Sequence, residues 1–220
     1  MLTIADVLSA EDAATVRERL DRVRFRDGRA TAGPAARKVK ANRQADPEHP
    51  ALPALASFVR QALERSDVLM RYARPVRWSE LIFSRYGPGE AYGLHMDDSA
   101  MRAAGGGMMR TDLSFTLFLS GPDAYEGGAL LTEGLDGERE VKLPPGGLLL
   151  YPTGVLHRVT PVTAGERIAC VGWIQSLIRR GDQRELLFDL TRVRGGMPEG
   201  EGRLLLDKCV GGLLRQWGEV

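Results

Sequence analysis

The sequence predicts a mainly β domain, a sandwich or jelly roll with helices before and after it in the chain, and three observations carry that reading. From Trp78 to Ser176 the chain breaks into short β-rich runs separated by turn residues: WSELIFSRY, TDLSFTLFLS, GALLTE, REVKL, GLLLYP, HRVTPV and RIACVGWIQS. No helix-length connection separates consecutive runs, which argues against a parallel α/β sheet. On both sides of this stretch apolar residues recur at helical spacing instead.

In chain order, Ser9 with Asp12 resembles a capping box, and Leu8, Ala13, Val16 and Leu20 then follow helical spacing. A second apolar stripe, Leu52, Leu55, Val59, Ala62 and Leu63, predicts a helix from about Pro53 to Tyr72. It ends before Pro75 because the residue preceding a proline is biased away from helix. The intervening DGRATAGPAARKVKANRQADPEHP reads as a loop rich in small and basic residues, and SAMRAAGGGMMR reads as a mobile glycine-rich loop. After Gly181, DQRELLFDLTRV and GRLLLDKCVGGLLRQW read as helices divided by RGGMPEGEG. The expected organisation is one domain over 1–178, with helices in 1–75 and a jelly-roll core in 76–178, followed by a C-terminal helical subdomain over 179–220. Leu186, Leu187, Leu190, Leu204, Leu205, Leu213 and Leu214 are more apolar surface than isolated helices leave in water. They are expected to pack on the core and the N-terminal helices, or on a second subunit in a homodimer.

Thirty Lys+Arg against twenty-nine Asp+Glu give a net charge of +1, so there is no chain-wide electrostatic footprint for nucleic acid or an anionic membrane surface. A hydrophobic fraction of 43% and a charged fraction of 27% exclude a disordered, fibrous or disulfide-scaffold chain. The opening MLTIADVLSAEDAATVRERL has no basic region followed by an apolar run, and no stretch of about 18 apolar residues is present. Cys170 and Cys209 stand far apart in apolar contexts and read as buried free thiols. A cytoplasmic protein without a membrane span is the expectation.

The chain has three histidines. His49, in DPEHP, reads as an exposed loop residue. His95 and Asp97 in YGLHMDDS are two apart, so on an extended segment they share a face while Met96 points away. His157 enters another strand 62 residues later, a separation that a jelly roll can close by bringing distant strands into facing sheets. Two imidazoles and one carboxylate on one face leave three octahedral positions open, the ligand set of non-haem Fe(II) oxygenases. A surface turn or a hydrogen-bonded pair is the other reading of the His-x-Asp alone. Arg167 follows His157 by ten residues, and alternation places it with Ala169, Val171 and Trp173 on one strand face. Turned inward, its planar fork suits a carboxylate; turned outward, it would pair with Glu166, Glu138 or Glu140.

RYGPGEAYGLHMDDS, RTDLSFTLFLS, YEGGAL, KLPPGGLLLYPTGVLHRVTPVTAGER and WIQSLIR together resemble the bacterial PKHD-type (prolyl/lysyl hydroxylase-type) Fe(II)/2-oxoglutarate-dependent dioxygenases, over nearly all 220 residues. The resemblance implies a double-stranded β-helix core, that is, a cupin-like jelly roll. It implies that His95, Asp97 and His157 bind Fe(II), that Arg167 holds the far carboxylate of 2-oxoglutarate, and that Tyr86 and Tyr92 line the cosubstrate pocket. It further implies O2 as oxidant, L-ascorbate as a reductant that restores ferrous enzyme, and hydroxylation with release of succinate and carbon dioxide. Asp97 stands where related halogenases carry a small residue, and the alanine of GGAL, where such turns often have Glu, is peripheral to the metal. The substrate stays unidentified: a peptidyl proline or lysine, or a small molecule linked to iron supply. The loops 28–44 and 99–110 carry Arg37, Lys38, Lys40, Arg43, Arg102 and Arg110, which either face an acidic or chelating ligand or are simply solvated. Two other readings stand beside the dioxygenase. A metal-dependent cupin-like isomerase or hydrolase would normally offer a further His or Glu ligand, and a non-catalytic iron-responsive binding protein would use the tail as an interaction module.

Overall fold

In the computed structural model, which describes residues 1–219, the architecture follows from the strand Leu113–Phe118, whose residues are all buried. Leu113, Phe115 and Leu117 join an apolar cluster with Val16, Leu20, Leu55, Val59 and Leu63 from helices. Phe118 turns the other way, into a second cluster with Tyr86, Leu130, Tyr151 and Val159. A strand buried on both faces needs a cover on each. Helices supply one and a second sheet the other.

The larger antiparallel sheet runs in the order Leu2–Ile4, Leu148–Pro152, Leu113–Phe118, Arg167–Ser176, Ile82–Tyr86, Arg43–Ala45, Phe25–Asp27, with Pro75–Trp78 also pairing with Arg167–Ser176. The smaller sheet runs Gly137–Val141, Leu130–Gly134, His157–Val159, Ala91–His95, Lys40–Ala41. Facing each other across the second cluster, they form the expected jelly-roll core without closing into a barrel.

Helix α1 (Ala10–Asp21) starts as expected: the Asp12 amide donates to Ser9 Oγ at 3.0 Å. The segment expected as a loop is more ordered than that. It holds a 3-10 turn at Gly28–Thr31, the short helix α2 (Pro34–Arg37) and the strands Lys40–Ala41 and Arg43–Ala45, one in each sheet. The single helix expected from Pro53 to Tyr72 is two, α3 (Leu52–Arg65) and α4 (Asp67–Ala73), because Ser66 leaves helical geometry with ψ 100°. Arg74 ends α4 in the left-handed region at φ 44°, just before Pro75. The glycine-rich 99–110 segment is a hairpin, Ala100–Arg102 paired with Met108–Arg110, which turns through Gly106 and Gly107 at positive φ.

Helices α5 (Gly181–Gly196) and α6 (Glu201–Trp217) pack on each other and are joined by an Arg194–Asp207 ion pair. Helix α5 rests on α4 through the buried Leu187 and an edge-on Tyr72–Phe188 contact at 5.4 Å. The Glu219 amide donates to the Leu177 carbonyl, which ties the end of the tail back to the sheet. The expectation that the tail leucines all pack holds only in part. Leu187 is buried and Leu190, Leu213 and Leu214 are half-buried, but Leu186, Leu204 and Leu205 are exposed, since a helix pair covered on one side can bury only one stripe each. Cys170 is a buried free thiol, whereas Cys209 is exposed, because its apolar neighbours in sequence lie on other faces of α6. No helix of the described residues is long and apolar enough to cross a membrane.

Candidate metal and cosubstrate site

His95 ends the strand Ala91–His95 and His157 begins the strand His157–Val159, and the two are direct partners in the register of the smaller sheet. The histidines therefore meet as neighbours within one sheet, not across two facing sheets as the sequence suggested. Side chains directly opposite on one face of an antiparallel pair lie within contact distance, so register alone unites them. Their ring centroids are 4.2 Å apart. Asp97 follows immediately, with its carboxylate oxygens 3.9 Å from His95 Nε2 and 3.8 Å from His157 Nε2. Met96 and Leu94 are exposed, although Met96 also contributes to the cavity lining. His49 stands apart from this site, half-buried in its turn, where its Nδ1 accepts the Ala51 amide.

His95 Nδ1 lies 2.8 Å from the Gly93 carbonyl and His157 Nδ1 lies 2.9 Å from the Val155 carbonyl. A carbonyl only accepts, so both protons sit on Nδ1 and both Nε2 lone pairs are free. Burial, with the neighbouring His157 adding to it, pushes His95 down to about 4, which keeps its imidazole neutral near pH 7. Ser114 Oγ donates to Asp97 Oδ2 at 2.7 Å and also reaches Thr153 Oγ1 at 3.2 Å, which fixes the carboxylate from behind. Three electron-pair donors thus lie within 4.8 Å of one another with no proton shared between them. Such a cluster fits a divalent cation, and the hydroxyl and carbonyl contacts behind it are of the kind that orient metal ligands.

The same cavity reaches Arg167. Arg167 faces inward: it is 2% exposed, its Nε has no hydrogen-bond partner, and no carboxylate pairs with it among the described residues. Two of the three glutamates that would hold it at the surface are engaged elsewhere, Glu166 with Arg43 and Arg85 and Glu138 with Arg158. Its guanidinium is 5.2 Å from the ring of Tyr86, its direct strand partner, and 5.5 Å from that of Phe118. Strand alternation behaves as expected, with Val171 and Trp173 lining the cavity and Ile168, Cys170 and Ile174 entering the helical core. Tyr86 is buried with its phenol pushed up by desolvation. Tyr92 stacks on His95 at 3.5 Å between centroids, so it supports a ligand ring as well as lining the cavity.

Several polar residues in the cavity were not anticipated. Ser114, Thr116 and Tyr151 come from central strands whose apolar alternation drew attention to the opposite face. Asn42 and Gln44 were hidden in a stretch read as loop, although Lys40, Asn42 and Gln44 alternate as a strand face would. Of the basic residues named for substrate contact, Lys40 alone is buried in the cavity, with burial pulling its ammonium down to about 8. Arg43 pairs with Glu90 and Glu166, Arg110 with Asp112 and Glu219, Arg37 donates to the Ala32 carbonyl, and Lys38 and Arg102 are exposed.

A jelly roll with an inward His-Asp-His cluster and a buried arginine in one cavity defines a non-haem Fe(II), 2-oxoglutarate-dependent oxygenase, and residues 81–175 match the family model of the 2OG-Fe(II) oxygenase superfamily. The chain is 43% identical over 225 residues to a PKHD-type hydroxylase of Hyphomonas neptunium, covering 100% of both chains. It belongs to the PKHD-type hydroxylases. Among solved structures it resembles a Pseudomonas putida prolyl-4-hydroxylase with TM-score 0.52 and 22% identity, covering 80% of this chain and 91% of that one. It also resembles HygX of Streptomyces hygroscopicus with nickel and 2-oxoglutarate bound, with TM-score 0.56 and 17% identity over 80% of this chain and 83% of that one. These two likenesses establish the fold.

Proposed function

We propose that His95, Asp97 and His157 hold one Fe(II) and that Arg167, beside Tyr86, takes the far carboxylate of 2-oxoglutarate, so that the cavity between them hydroxylates a substrate carbon. The observation that carries this is the pairing, in a single cavity, of three converging unprotonated donors with a buried, unpaired guanidinium. Bound iron and 2-oxoglutarate supply the oxidising power, with O2 consumed and succinate and carbon dioxide released. The chain's own part is positional. The Gly93 and Val155 carbonyls fix the imidazole tautomers, Ser114 aims Asp97, and Arg167 orients the keto acid by its planar fork. The apolar side chains Leu130, Val159 and Val171 in the cavity wall exclude water from the reacting centre. A fourth protein ligand, which an isomerase or hydrolase of this fold would favour, does not converge with the three among the described residues.

L-ascorbate serves as reductant, the protein works in the cytoplasm, and 1–178 forms the catalytic domain with 179–220 as a helical subdomain. The exposed Leu186, Leu204 and Leu205 support a homodimer through α5 and α6. The names of the relatives and of the Pseudomonas putida structure favour a peptidyl proline or lysine as substrate, and a small molecule linked to iron supply is the second reading. Anaerobic addition of Fe(II) and then 2-oxoglutarate tests the central claim. The wild type is expected to develop the visible charge-transfer band of a chelated keto acid and His157→Ala to lack it; a wild type without the band refutes the assignment.

A further inference from the structure

The chain crosses from the smaller sheet to the larger one between Lys40 and Ala45, and this crossing forms one wall of the cavity. Lys40, Asn42 and Gln44 point inward from alternate positions and are 7%, 5% and 3% exposed. Lys40 Nζ donates to Thr31 Oγ1 at 3.1 Å, and Thr31 Oγ1 in turn donates to Gln44 Oε1 at 2.7 Å. That is the ammonium's one hydrogen bond, and no carboxylate lies in ion-pair range of it among the described residues. Asn42 is more exposed energetically: neither its amide nitrogen nor its amide oxygen has a partner, although the Tyr86 phenol is close by. A buried charge and a buried amide left unsatisfied are costly unless a ligand completes them.

On the function proposed above, the known occupants do not complete Lys40. The two charges of Fe(II) and the one of Arg167 are matched by Asp97 and the two carboxylates of 2-oxoglutarate. Lys40 is then left without an ion-pair partner of its own: Asp97 and Asp27 act on it only from beyond ion-pair range, and Asp98, which also lines the cavity, is exposed. Lys40 is bonded to the exposed Thr31 and stands 4.8 Å above the Tyr92 ring, whereas Arg167 is more deeply buried and packs against Phe118. We infer that Lys40 is a specificity-determining residue that seats an oxyanion of the substrate being oxidised, a carboxylate or a comparably charged oxygen, with Asn42 satisfying an adjacent amide or carbonyl.

The inference rests on the dioxygenase reading, and the test separates the two. Zinc-loaded protein, which cannot turn over, is saturated with 2-oxoglutarate and titrated with benzoate and with neutral benzamide by ligand-observed NMR. Wild type is expected to prefer benzoate, Lys40→Met to lose about tenfold or more of that affinity, and Lys40→Arg to recover part of it, while benzamide is unaffected by Lys40→Met. Affinity for 2-oxoglutarate should stay within about twofold in Lys40→Met, since its carboxylates have other partners. The ligand-free variant should melt close to or above the wild-type temperature, because a buried charge without an ion-pair partner has left the interior. Loss of 2-oxoglutarate binding in Lys40→Met would reassign the oxyanion to the cosubstrate and overturn the inference. So would equal benzoate binding by wild type and variant, or none by wild type. The charge-transfer band, read separately on wild type, reports whether the underlying dioxygenase reading stands.

Discussion

Replacing Arg167 with Met should move two measurements in opposite directions. In the ligand-free protein Arg167 is buried without a carboxylate partner, so its desolvation cost is offset only by the Tyr86 and Phe118 rings and the neighbouring Tyr125 phenol, and the apolar variant should be about as stable as wild type or more so. With 2-oxoglutarate present the balance reverses. Removing one partner of a buried, hydrogen-bonded charge pair costs about 3–5 kcal/mol, which at about 1.4 kcal/mol per decade weakens the cosubstrate by two to more than three orders of magnitude. Thermal denaturation of zinc-loaded protein reads both effects. At a cosubstrate concentration about 100 times the dissociation constant, wild type gains about 2.7 kcal/mol, or roughly 5–10 °C for a chain of this size. Arg167→Met should show no such gain at the same concentration. Arg167→Lys should fall between them, with affinity reduced roughly tenfold, because the charge stays and the fork is lost. Equal stabilisation of Arg167→Met and wild type by 2-oxoglutarate would refute the role, and a marked fall in ligand-free stability would show that the guanidinium has a structural partner.

Ser114→Ala should weaken metal binding by about 10–100-fold without altering the fold, since it frees Asp97 from the 2.7 Å hydrogen bond that aims it; competition with a chelator measures this. The metal-free protein should lose stability as pH falls from about 6.5 to about 4. His95 titrates at about 4 when folded and near 6.5 when unfolded, so the unfolded chain takes up the extra proton in that window, and the loss reaches roughly 3 kcal/mol at its acid end. Denaturant titrations across this range should show the slope in wild type and a shallower one in His95→Gln. Leu187→Ala, at a fully buried position between α5 and the domain, should cost about 2–5 kcal/mol, whereas Leu204→Ala at an exposed position should change stability by less than about 0.5 kcal/mol; chemical denaturation distinguishes them.

The chemistry of the site was written in residue types and spacing. His95 and Asp97 at a separation of two need only an extended backbone to share a face, and the alternation through Arg167, Ala169, Val171 and Trp173 needs only a strand. Local geometry suffices for both, so both were legible. The capping residue Ser9 and the helix end before Pro75 are local in the same sense. Which strand lies beside which depends on contacts between residues far apart in the chain, and sequence periodicity carries no information about them. That is why the sequence suggests facing sheets for His95 and His157, which are register partners in one sheet. It is also why 27–50 reads as a loop: the alternation of Lys40, Asn42 and Gln44 spans only five residues, and nothing in it tells that Lys40–Ala41 pairs with the smaller sheet and Arg43–Ala45 with the larger, which makes these side chains a wall of the cavity. The fate of the tail leucines was decided in the same way. Their spacing fixes that they form stripes on helices, but only the packing of α5 on α4, which covers one side of the pair, determines that Leu187 is buried and Leu204 and Leu205 are not.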